Sequence, residues 1–167
     1  VLGGYGLVSE DVQNLKADNI KIDDISVVGF FKDITTLSVS DTDVSDISSL
    51  AKCPNLSTLN LSGTNINDIS HLKELLKLYD INLSNTLVFD ITPLQALVNL
   101  HFLNIENTQV SDISSLVSLE KLNEINFSNT PVTNIKVLSN LPHLTKIYCD
   151  NSLVSTEMAN EYKMENP

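Results

Sequence analysis

Arginine and tryptophan are absent from this chain, and its 10 cationic residues, all lysines, face 21 carboxylates. The net charge of −11 opposes nucleic acid and anionic membrane surfaces as partners. The excess carboxylate reads more simply as a solubility device on a long exposed surface. No apolar run reaches the roughly 18 residues of a spanning helix. No targeting peptide is visible, and the chain opens on Val1 rather than Met, which reads as a processed product or a cut-out piece. Glycine-rich phosphate loops and C-x-x-C pairs are missing. His71, His101 and His143 occupy three unrelated positions, and no Ser or Cys nucleophile has a His at a fixed spacing. These absences predict a protein that is not an enzyme and that needs no metal or cofactor.

What is present is a period. Thr42, Thr64, Thr86, Thr108 and Thr130 lie 22 residues apart, and Ser152 continues the series. Such a period marks a repeat array. Apolar residues keep the same register. Ile34, Leu56, Leu78, Leu100, Leu122 and Leu144 form one column, and Leu37, Leu59, Ile81, Leu103, Ile125 and Ile147 the next. Val39, Leu61, Leu83, Ile105, Phe127 and Cys149 follow. Beyond the threonines come Val44 to Val154, Ile47 to Ile135, Leu50 to Leu138, and Cys53 with Leu75, Leu97, Leu119 and Leu141.

Spacing changes inside each unit. Leu59 and Leu61 are two apart, the period of a strand with one buried face. Ile69, Leu72, Leu75 and Leu78 are three apart, the period of a 3-10 turn or tight coil. Each unit is therefore a short strand, a turn and a compact return, with about a dozen residues left for that return, too few for a long helix. One unit buries too little apolar surface to offset the ordering of its backbone, so stacking must supply the rest. Stacked units place their strands in a parallel sheet about 4.8 Å apart. Six strand-bearing units are clear.

The L-x-L…I-x-D-I-(S/T)-x-L core, as in Leu59-Asn60-Leu61 and Ile66-Asn67-Asp68-Ile69-Ser70-His71-Leu72, resembles the bacterial leucine-rich repeats of internalin type over residues 34 to 154. Threonine stands where that family usually carries asparagine. The resemblance implies an α/β fold: a right-handed leucine-rich-repeat solenoid with a parallel sheet on its concave face, short 3-10 or coil returns on its convex face, and terminal caps. It also implies a non-enzymatic scaffold that binds protein through the concave sheet. A bacterial envelope or secreted location fits the resemblance, with a cytoplasmic location as the alternative. The alternative functions are a cytosolic adaptor, similar to the 22-residue repeats that grip phosphatases, and a structural spacer.

The ends depart from the pattern. Residues 1–8 read as a tail, and residues up to 32 as a degenerate first repeat built on Val12, Leu15, Ala17, Ile22, Ile25, Val28 and Phe31. Ser9-Glu10-Asp11 looks like a helix start, so helix is favoured over strand for residues 9–17. The array proper runs from 33 to 154. Residues 155–167 read as a capping helix, with Val154, Met158 and Tyr162 on one face.

Several columns look chemical. Asp24, Asp46, Asp68, Asp90 and Asp112, continued by Asn134, could suggest a hard cation, but each precedes the return path, where it can cap exposed N–H groups. The threonine hydroxyls are expected to satisfy backbone groups inside the stack. Cys53 and Cys149 sit in apolar columns and read as small buried hydrophobes. They lie about four rungs apart, roughly 20 Å, too far for a disulfide. Asn60-Leu-Ser62, Asn82-Leu-Ser84 and Asn126-Phe-Ser128 fit a glycosylation sequon, yet a glycan there would cover the sheet face, which favours a bacterial or cytosolic origin.

The outer sheet face begins with small residues, Thr36, Ser38, Ser40, Thr58, Asn60 and Ser62. Later rungs carry aromatic and charged residues. The expected partner-binding patch is Tyr79, His101, Phe102, Asn104, Glu124, Asn126, Lys146 and Tyr148, because exposed aromatics are the usual binding anchors. The expected partner is a protein, bound by a monomer.

Overall fold

A computed structural model describes residues 12–165, with side chains up to residue 161. Each repeat begins with a three-residue strand: β1 Asn14–Lys16, β2 Thr36–Ser38, β3 Thr58–Asn60, β4 Asp80–Asn82, β5 Phe102–Asn104, β6 Glu124–Asn126 and β7 Lys146–Tyr148. All seven pair in parallel, in chain order, as one open sheet. Leu37 pairs with Leu59, Leu59 with Ile81, Ile81 with Leu103 and Leu103 with Ile125, so the sequence period is the hydrogen-bonding register.

The returns are 3-10 helices at Ser26–Phe30, Ser48–Lys52, Ser70–Leu72, Thr92–Ala96, Ser114–Ser118 and Lys136–Asn140. A 3-10 helix rises about 2.0 Å per residue against 1.5 Å for an α-helix, so a short segment crosses the back of the stack. Ile47, Leu50, Cys53 and Leu56 show the consequence of spacing by three, since all four are buried. Aliphatic rows from neighbouring rungs merge into one core that runs from Ile25 to Leu141.

Two polar ladders close each turn. The hydroxyls of Thr42, Thr64, Thr86, Thr108 and Thr130 donate to the carbonyls of Val39, Leu61, Leu83, Ile105 and Phe127 at 2.5 to 2.7 Å. Just before each threonine the chain enters the left-handed region. Asn19, Asp41, Gly63, Asn85, Asn107, Asn129 and Asn151 have φ between 53° and 66°. Asn, Asp and Gly tolerate that region best. Gly63 is the one rung without a side chain there, and an added Cβ would press on the Asp41 carboxylate.

Both ends differ from the sequence reading. Residues 14–16 form a strand rather than the favoured helix, because β1 completes its hydrogen bonds on β2. The tail at 1–8 and the capping motif at 9–11 lie outside the described residues. Val12, Leu15, Ala17 and Ile22, on and beside the first strand of the described residues, are only partly buried. Cys149 is exposed rather than buried. It occupies an apolar column, but it lies on the last strand, and among the described residues no further strand covers it. Cys53, inside the stack, is buried, and burial pushes its thiol pKa up. Helix α1, Thr156–Glu165, follows, with the Ser155 hydroxyl accepting from the Met158 N–H at 3.1 Å. Met158 packs against the core, and α1 contacts the last 3-10 helix. The Tyr162 side chain lies outside the described residues.

Candidate functional site

Period-two alternation sends one residue of each strand inward and its two neighbours to the open face of the sheet. With a register of one full repeat, the outward residues line up as straight columns. The first column reads Thr36, Thr58, Asp80, Phe102, Glu124, Lys146. The second reads Ser38, Asn60, Asn82, Asn104, Asn126, Tyr148.

The asparagine column is first of all structural. Asn60, Asn82, Asn104 and Asn126 accept, through Oδ1, the N–H of the residue two further on, at 2.9 to 3.1 Å. That fixes each amide; Nδ2 of Asn126 donates to the Glu106 carboxylate at 3.0 Å, and those of Asn82 and Asn104 are left as outward donors. It also explains the N-x-S sequons, since a capping asparagine followed by serine two residues on recurs for packing reasons. Ser38 is too short for the same role. There Asp18, one rung back, accepts from the Ser40 N–H at 2.8 Å and from both serine hydroxyls. Those bonds, led by the one from Ser38, hold the Asp18 carboxyl below its ordinary pKa. Ser38, Ser40, Ser84 and Ser128 are buried, so the bland part of the sheet face is smaller than the alternation implies.

On the back of the molecule, Asp24, Asp46, Asp68, Asp90 and Asp112 each accept the backbone N–H two residues on at 2.7 to 2.8 Å, and Asn134 does the same at 3.0 Å. Those N–H bonds lower the pKa of Asp24, Asp46, Asp68 and Asp112. The carboxylates are thus engaged in opening each 3-10 return.

The aromatic residues do come together. Tyr79 stacks on His101 with ring centroids 4.2 Å apart, and Phe102 meets Tyr79 edge-on at 5.4 Å. Such pairs contribute roughly 0.5–1.5 kcal/mol beyond their area. His101 Nδ1 donates to the Asn99 carbonyl at 2.8 Å, which fixes the ring. Lys121 Nζ reaches the Asn99 side chain at 2.7 Å. Tyr79, His101, Phe102, Lys121, Asn123 and His143 surround a shallow hollow of about 380 Å³ on the flank that leads into the strands.

Phe102 also walls a second cleft, of about 410 Å³, on the sheet face itself. Its lining includes Asp80, Asn82, Asn104, Glu124, Asn126 and Tyr148. Glu124 is bridged by Lys146 at 3.1 Å, which raises the lysine pKa. Asp80 is different. Its carboxylate makes no hydrogen bond or ion pair among the described residues, and its pKa is raised, first by desolvation and then by Glu124. Of the residues expected from sequence, Tyr79, His101 and Phe102 form one cluster, while Asn104, Glu124, Asn126 and Tyr148 join Phe102 around the cleft. Lys146 stands outside its lining, held on Glu124. Sequence reasoning left out Asp80 and Asn82. The available signal was their position one repeat before Phe102 and Asn104.

The Leucine Rich repeats (2 copies) family matches residues 32–74. No curated protein sequence matches the chain. Among solved structures, an internalin (inlF) from Listeria monocytogenes superposes with a TM-score of 0.70 at 19% identity, covering 88% of this chain and 50% of that one. Internalin C2 (inlC2) from the same organism gives 0.74 at 25% identity, covering 86% and 73%. A leucine-rich-repeat protein from Leptospira interrogans gives 0.67 at 15% identity, covering 85% and 49%. The chain thus spans about half the length of the first and third of these. The repeat register, the seven-strand sheet and these likenesses show that the chain has a leucine-rich-repeat solenoid fold like that of the internalins.

Proposed function

We propose that this protein is a non-enzymatic scaffold that binds a protein partner on the open face of its sheet, through Tyr79, His101, Phe102, Asn104, Glu124, Asn126, Lys146 and Tyr148. The observation that carries this reading is Phe102, whose ring joins the aromatic cluster to the cleft on the sheet face. Partner binding concentrates on aromatic anchors set in a preformed surface. Strands β4, β5 and β6 are each paired on both sides and capped by Asn82, Asn104 and Asn126, while β7, with Lys146 and Tyr148, pairs with β6 alone. A bacterial envelope or secreted location belongs to the same proposal, and the likeness in fold to the Listeria internalins supports it.

Selection of a random displayed-peptide library against the protein tests the reading. Selected peptides should lose binding to a Phe102→Ala, Tyr148→Ala double variant that keeps its circular dichroism spectrum. They should keep binding to Phe89→Ala, a change at an exposed aromatic away from the strands. Peptides indifferent to the double variant would remove the sheet face from consideration.

A further inference from the structure

One column of the sheet reads Asp80, Phe102, Glu124, Lys146, with each residue directly opposite the next. An aromatic ring therefore lies between two carboxylates on adjacent rungs, and a fourth rung carries a lysine. Lys146 places its ammonium on Glu124 at 3.1 Å. The far side of the ring has no such partner, since Asp80 is half-buried in the cleft wall and meets no cation among the described residues. The next column adds donors. Asn82 and Asn104 line the same cleft, and because their Oδ1 atoms accept backbone N–H groups, their Nδ2 groups are the atoms left for a ligand.

We infer that the cleft bounded by Asp80, Phe102 and Glu124 receives an arginine side chain from an extended segment of the protein partner. The guanidinium lies against the Phe102 ring with its N–H groups on the Asp80 carboxylate, while Asn82 and Asn104 donate to carbonyls of the same segment. Four features of different kinds support this occupant: a carboxylate with no cation, a flat aromatic face beside it, amide donors whose orientation is fixed, and a cleft large enough for one side chain. The net charge of −11 favours a basic partner. Arginine fits better than lysine because its planar fork pairs with a carboxylate and stacks on a ring at once. The Lys146–Glu124 contact shows within the molecule how one half of that column already holds a cation.

This inference rests on the proposed use of the sheet face, and the test separates the two. Acetyl-Leu-Arg-Leu-amide, its citrulline counterpart and its lysine counterpart are titrated into ¹⁵N-labelled protein at physiological salt. The arginine peptide should give saturable shifts at the amides of residues 80–84 and 102–106, with citrulline weaker by about tenfold, as the loss of a charge-assisted hydrogen bond predicts. Asp80→Asn should weaken the arginine peptide by about the same factor, while Glu74→Gln, an equal charge change on an exposed residue of the returns, should alter it by less than about twofold. Equal binding of arginine and citrulline peptides, abolished by Phe102→Ala, would overturn the cationic occupant and leave the sheet-face reading standing. Shifts spread over the acidic surface and indifferent to Phe102→Ala, or no saturable shift at all, would count against both.

Discussion

Replacing Thr86 by valine and by serine asks what holds a rung closed. Thr86 is buried, and its hydroxyl donates to the Leu83 carbonyl at 2.6 Å, inside the stack. Valine keeps the shape and volume but removes the donor. Leaving a buried carbonyl without that donor costs about 1–3 kcal/mol. Serine keeps the donor and drops one methyl group, worth about 1 kcal/mol with its small cavity. The hydrogen-bond account therefore ranks Thr86→Val as the more damaging change, and a pure packing account ranks them the other way. Urea unfolding followed by circular dichroism measures the difference. A loss of about 2 kcal/mol moves the midpoint by roughly 1 M at the urea m-values usual for small proteins. The m-value must stay constant for the comparison to hold, because separate unfolding of half the array would lower it. Thr64 and Thr108 repeat the same bond at 2.6 and 2.7 Å and serve as replicates. If valine proves as stable as threonine at all three positions, or serine proves the worse change, the turn-closing role of the hydroxyl is wrong.

Two further outcomes follow from the titratable groups. Asp46, Asp68 and Asp112 have pKa values lowered by backbone N–H donors, so their contribution is present above the unfolded carboxylate value, about 3.9, and is lost as pH falls through the folded values. Asp80 has a raised pKa, so its ionised form opposes folding at neutral pH and protonation relieves that cost. Asp80→Asn should raise the unfolding midpoint at neutral pH and have no effect in acid, whereas Asp68→Asn should leave the cap intact and flatten the acid limb; chemical denaturation across pH reads both. For the cysteines, an aromatic disulfide reagent should titrate Cys149 in the native protein and Cys53 only after denaturant is added, and two rapidly reacting native thiols would contradict the stacked core.

Most of the polar chemistry of this chain serves the fold, and its column structure shows why. A solenoid leaves backbone groups at every turn without helix or sheet partners, and each rung must meet that need again. Asp68 opens the return, Asn82 caps the strand exit, and Thr86 closes the turn. What the columns do not explain is the departure at rungs four to seven, where Asp80, Phe102, Glu124, Lys146 and Tyr148 replace small residues. Those positions face outward, so stacking does not demand their identities, and they are the positions to which the proposed binding role is assigned.

The period of 22 residues was legible before any coordinates, and with it the parallel register, the buried columns and the capping roles of aspartate and threonine. A repeat makes this possible, because each residue's neighbour in space is one period away in sequence. The left-handed asparagine column was equally visible in that frame and was overlooked, since no apolar residue marks it. Other properties required the tertiary structure. Cys149 lies on the last strand of the described residues, where its apolar column gives exposure instead of burial, and at residues 14–16 pairing with β2 overrode a local helix signal. The stacking of Tyr79 on His101, and the isolation of Asp80 beside Phe102 while Glu124 is taken by Lys146, depend on side-chain directions and on distances between rungs. Periodicity assigns a residue to a face, but only packing decides which charges on that face are already neutralised.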